Sequence, residues 1–134
     1  MLRFTMVLSS LAIIVSTAQA AECRSTHSAE VVEVTGWNAA PPDNYGLSIL
    51  NMRLTNRAAA AIRMIDGYVV FTDALGGEVD DFTIDRDLHL AIGAEGEAKA
   101  LLRYSRLTEL DPADVSAVAC LRAVLFEDGT RQDF

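Results

Sequence analysis

The dominant spacing in this chain is two. In residues 47–56, Leu50, Met52 and Leu54 fall on one face and Asn51, Arg53 and Thr55 on the other. That alternation belongs to an antiparallel strand with one side on a core and one in water. Residues 62–72 repeat it, with Ile65, Gly67, Val69 and Phe71 toward the core and Asp66, Tyr68, Val70 and Thr72 opposite. Residues 30–37 are β-branched and alternating, and they run into a loop over 38–46 whose Pro41 and Pro42 cannot donate to a ladder. Residues 56–61 carry four alanines in a row after Asn56-Arg57, too short a stretch for more than one helical turn.

Further along, Asp73-Ala74-Leu75-Gly76-Gly77-Glu78 has the Asp and Gly chemistry of a tight hairpin loop, because glycine alone enters positive φ without steric cost. The returning strand runs from Val79 to about Asp85, with Phe82 and Ile84 inward. Residues 85–92 either continue extended or bend toward a second sheet, and Gly93 and Gly96 mark the next turn. Residues 97–103 form a strand whose Ala98, Ala100 and Leu102 share a face. In 107–114, Asp111 ahead of Pro112 caps a short helical turn. Residues 115–126 are nearly continuously apolar, as a central strand buried on both faces would be. Asp128-Gly129 then turns the chain so that 131–134 can return as an edge piece. Six or seven strands joined by Gly/Pro/Asp loops, with one helical turn, predict an all-β antiparallel two-sheet sandwich.

The first twenty residues stand outside this pattern. Arg3 precedes an uncharged apolar run, and Ala18-Gln19-Ala20 places small residues where a signal peptidase requires them. The expectation is a cleavable signal over 1–20 and one domain over 21–134. A membrane anchor is disfavoured because the run is short for a hydrocarbon core of roughly 30 Å and contains several Ser and Thr. Glu22 beside Cys23 argues against lipidation of that cysteine. The processed chain would have 134 − 20 = 114 residues and, without Arg3, a formal charge of 10 − 19 = −9. Such a surface repels phosphate backbones and anionic headgroups, and the arginines are scattered singly, so nucleic-acid binding and stable membrane insertion after processing are both excluded.

Export alters the meaning of the two cysteines, Cys23 and Cys120. With one possible pairing in an oxidising compartment, periplasmic or extracellular, they form a disulfide. Closing a loop of 120 − 23 = 97 residues stabilises by roughly 4 to 5 kcal/mol on the chain-entropy estimate.

Little in the chain suggests catalysis. His27 lies among Ser and Thr near the new N-terminus, His89 alternates with Leu88 and Leu90 and should face solvent, and there is no nucleophile elbow or cofactor motif. Asp80, Asp81, Asp85 and Asp87, with Asp73 and Glu78, could supply oxygens to Ca²⁺, although the spacing matches no dedicated loop. A charged edge strand that resists edge-to-edge pairing is the favoured reading, since alternation sends Asp81 and Asp85 out among solvated positions. Trp37 and Tyr45 flank the proline loop and mark it as the candidate interaction surface, with Tyr68 and Tyr104 the remaining amphipathic aromatics.

Three short stretches carry a family resemblance: Val69-Val70-Phe71-Thr72-Asp73, the Gly76-Gly77 turn after it, and Phe126-Glu127-Asp128-Gly129-Thr130. Through them the region 47–130 resembles the small exported bacterial β-sandwich domains described as FxLYD-like, although Val69 and Thr72 stand where the family name has Phe and Tyr. The resemblance implies an immunoglobulin- or fibronectin-like fold, mostly without assigned activity. The functional expectation is a non-catalytic interaction or envelope-accessory domain whose partner is another exported or envelope protein. The alternative is a small Ca²⁺-binding or other ligand-binding module.

Overall fold

The computed structural model describes Cys23 and residues 28–134. The expected signal segment and His27 lie outside the described residues. Seven strands form two antiparallel sheets: β1 (Val32–Ala39), β2 (Leu47–Asn56) and β5 (Glu95–Arg103) in the order β1-β2-β5, and β3 (Ile62–Thr72), β4 (Glu78–Thr83), β6 (Ser116–Phe126) and β7 (Arg131–Asp133) in the order β4-β3-β6-β7. This is an immunoglobulin-like sandwich in which the fourth strand pairs with β3 rather than β5. The non-strand elements are three one-turn 3₁₀ segments, Ser28–Glu30, Arg106–Thr108 and Pro112–Asp114.

The core is the meeting of the two alternating faces. Leu50, Met52 and Leu54 of β2 are fully buried, as are Ile65, Val69 and Phe71 of β3. Leu102, Val124, Leu90 and Ile84 close the same cluster. Trp37 and Phe82 pack on Phe71 from either side, at centroid distances of 5.3 and 5.8 Å and near-perpendicular planes. This edge-to-face geometry sets positive ring edges against a negative ring face.

The stretch after β2 is the short connection expected, with bends and no helical turn, and Asn56 holds it as a loop. The buried Asn56 amide donates to the carbonyls of Ala60 and Leu90 at 2.8 and 3.1 Å and accepts from the Ala58 amide at 2.8 Å. Residues 85–92 are not a strand. They fold back across β3, where Leu90 makes a single bridge to Ile62 and the Ile65 amide donates to the Arg86 carbonyl. β6 is buried on both faces only at Ala119, Cys120 and Leu121, and Arg122 is exposed. β3 flanks β6 throughout, but β7 pairs with it only over Ala123–Leu125.

Where β7 stops, the N-terminal segment covers β6. Cys23 is bonded to Cys120 with Cα atoms 5.3 Å apart, and the Leu121 amide donates to the Ser28 hydroxyl at 2.9 Å. The expected disulfide therefore exists, and it fastens the approach to β1 onto the middle of the opposite sheet. Unlike the inter-sheet bridge of antibody domains, it joins β6 to chain outside the strands.

Asn56 is the interior polar group whose loss should be felt most. Asn56→Ala removes three hydrogen bonds and leaves the Ala60 carbonyl and the Ala58 amide without this partner, while the Leu90 carbonyl keeps the Ile62 amide, so unfolding in urea should show a loss of about 1 to 3 kcal/mol with an unchanged m-value.

Candidate functional site

One end of the sandwich gathers three connections: residues 40–46 between β1 and β2, 73–77 between β3 and β4, and 104–115 between β5 and β6. The first two are the same turn built twice. In each, an aspartate carbonyl accepts from the glycine three residues on, Asp43 from Gly46 at 3.0 Å and Asp73 from Gly76 at 2.9 Å. The aspartate amide then donates to the carbonyl four residues on, Leu47 and Gly77, at 2.8 Å in both cases. One carboxylate oxygen accepts two further amides: Tyr45 and Leu47 for Asp43, Leu75 and Gly77 for Asp73. Gly46 and Gly76 take φ of 72° and 80°, the left-handed position that follows a type I turn in a hairpin loop. The shared pattern is Asp-x-x-Gly, and its third residue stands at the tip.

That third residue is Tyr45 in one turn and Leu75 in the other, 74% and 98% exposed. Tyr104 joins them from the end of β5, 79% exposed and the single non-glycine residue at positive φ (49°) among those described. Its ring lies over Gly46: a Cβ added to Gly46 would meet the Tyr104 ring at 2.2 Å. The Tyr104 amide also donates to the Gly46 carbonyl. Beside the ring is an open cleft of about 310 Å³ bounded by Pro42, Asp43, Asn44, Ser105, Thr108 and Glu109. Its far wall is held in place by Ser105, whose hydroxyl caps the Leu107 amide and donates to Asp80 at 3.2 Å, and by Arg106, 3.6 Å from Asp73. The two sheets are thereby tied together beneath the exposed side chains. On the adjoining outer face of β2 and β5, Ile49 and Leu101 stand opposite each other and exposed.

Of the two aromatics singled out from sequence, Tyr45 stands at this end in solvent. Trp37 is half-buried and turned inward onto Phe71. The aromatic that accompanies Tyr45 is Tyr104, brought there by the β2–β5 pairing. Leu75 could have been found from the repeated Asp-x-x-Gly pattern, but a contact across two strands leaves no local trace in the sequence.

The acidic residues are engaged locally. Asp80 accepts from the Asp81 amide and from Ser105, and Asp85 accepts from the Asp87 amide. Among the described residues no three acidic, histidine or cysteine groups converge as a metal site would require. His89 is exposed with Nδ1 3.3 Å from Glu127. On the outer face of the larger sheet, Asp66 receives Arg122 through two nitrogens and lies 3.5 Å from Arg86, while Arg122 also stacks over Tyr68. The chain matches no protein-family model, and no curated protein or solved structure shows significant similarity to it.

Three aspartates have carboxyls held below the ordinary range. Arg122 does this for Asp66, the Gly77 and Leu75 amides for Asp73, and Thr130 for Asp128. Glu78 is shifted the other way by its hydrogen bond to Asp81 and the nearby Asp80 charge. A lowered folded pKa gives stability present above the unfolded pKa and lost as pH falls through the folded one; a raised pKa does the reverse. With three lowered groups against one raised, the melting temperature should drop on acidification below about pH 4. Asp73→Asn should flatten that drop, and Glu78→Gln should raise the melting temperature at neutral pH only.

The two matched turns allow an internal comparison. Gly76→Ala meets open space and should cost about 1 to 2 kcal/mol for the left-handed backbone alone. Gly46→Ala should cost more, because its methyl also displaces the Tyr104 ring, and adding Tyr104→Ala should remove the excess in chemical denaturation.

Proposed function

We propose that the protein is an exported, non-catalytic interaction domain, periplasmic or secreted, whose loop end receives a segment of another exported or envelope protein. The observation that carries this reading is the outward set of Tyr45, Leu75 and Tyr104 on turns whose backbones are already hydrogen-bonded. Large side chains left in water at fixed positions lose little conformational entropy on contact, and tyrosine is among the residues that dominate binding energies. The cleft beside Tyr104 adds the carboxylates of Asp43 and Glu109, which favour a basic or hydrogen-bonding group on the partner. A cystine suits an extracytoplasmic location, and no helix among the described residues is long and apolar enough to cross a membrane.

The test is a triple variant, Tyr45→Ala, Leu75→Ser and Tyr104→Ala. All three side chains are solvent-facing, so the melting temperature should change by only a few degrees. Cross-linking in envelope fractions should capture a defined protein with the native chain and lose it with the variant. Equal capture by both would remove the loop end from consideration.

A further inference from the structure

The sandwich has four open strand edges, and they are not equivalent. β7 is three residues long. β1 is broken by a bulge between Val34 and Gly36. β4 has a shifted register opposite Phe71 and Thr72 and carries Glu78, Asp80 and Asp81. Short length, bulges and charge of one sign each discourage another strand from adding. β5 differs: its nine residues hold an unbroken register against β2, contain no proline, and carry charges of both signs.

The direction of its free hydrogen-bonding groups follows from its ends. The Asn56 amide donates to the Ala94 carbonyl and the Tyr104 amide to the Gly46 carbonyl. Backbone groups alternate along an antiparallel ladder, so the even-numbered residues of β5 face β2. Glu95, Glu97, Lys99, Leu101 and Arg103 therefore turn their amides and carbonyls to the open edge, where among the described residues no other strand meets them.

We propose that this edge pairs antiparallel with the same edge of a second copy, about a twofold axis at Ala100. In that register Glu97 lies opposite Arg103 of the second copy, and Lys99 lies opposite its Leu101, with both pairs repeated by the symmetry. Each pair exchanges both main-chain hydrogen bonds. The neighbouring registers are disfavoured, since one sets Lys99 against itself and the other sets Lys99 against Arg103, and like charges directly opposite destabilise a sheet. On the inner face, Ala98 falls beside Leu102 of the second copy, small against large. On the outer face the two Leu101 side chains become diagonal neighbours. Ile49, which faces Leu101 at 51% exposure against 67%, extends them into one apolar row across the axis. The arrangement accounts for two large aliphatic side chains that the monomer leaves in water, and it doubles the smaller sheet.

Sedimentation equilibrium of the purified disulfide-bonded protein should resolve a monomer–dimer equilibrium. Within its own chain Arg103 pairs with Leu47 and has no charged cross-strand partner on β2. Arg103→Glu should weaken the dimer about tenfold, with a melting temperature unchanged at concentrations where both proteins are monomeric, because two opposite-charge pairs become like-charge pairs. Adding Glu97→Arg should restore most of the lost association, while its new like-charge contact with Arg53 on β2 lowers the melting temperature. In hydrogen exchange followed by NMR, the amides of Glu97, Lys99, Leu101 and Arg103 should gain protection as concentration rises. A protein that stays monomeric at the highest concentration reached would overturn the proposal, and so would a dimer that leaves those amides exchanging freely.

Discussion

Everything in this molecule is positioned by the contact between the inner faces of β2 and β3. Leu50, Met52 and Leu54 share one buried cluster with Ile65, Val69 and Phe71, and burial of that area is the main term opposing the entropy of ordering the chain. Because side chains alternate, committing these positions to the interior commits every intervening residue to an outer face. The exposed Ile49 and the Asp66–Arg122 pair are consequences of that single choice.

The N-terminal segment solves a different problem. β6 has a neighbour on one side along its whole length and on the other side only where β7 lies. The uncovered part is met by Ser28 and by Cys23, held there by the disulfide. The covalent link thus acts locally as a cover for an open ladder as well as closing a long loop in the unfolded chain. With the fourth strand on the β3 side, the smaller sheet keeps both edges open.

Charge and turn chemistry then decide what the surface can do. An acidic run lies on β4 and its flanking turns, where backbone amides and the Ser105 hydroxyl hydrogen-bond to Asp73, Asp80 and Asp85, and the Gly77 and Leu75 amides hold the Asp73 carboxyl below its ordinary range. Of the aspartates that look like cation ligands in the sequence, Asp73, Asp80 and Asp85 each accept from a backbone amide that follows them. The rigid turns they build hold large side chains in water without the loss of order that a long loop would bring.

Read from the chain alone, the alternating runs at 47–56 and 62–72 determine two strands to the residue, and the inward sets of β2, β3 and β5 follow with them. The cystine is legible too, since two cysteines allow one pairing. These features are local in period or unique in count. What only the tertiary structure decided is non-local: the withdrawal of Trp37 onto Phe71, the placing of the Tyr104 ring over Gly46, the refusal of 58–61 and 85–92 to become regular elements, and the open edge of β5. Asn56 and Leu90 show why, because each acts on chain far from it in sequence, and no window of neighbouring residues records such a partner. Periodicity says which side of a strand is wet, but which strands lie side by side is settled by how two whole faces fit.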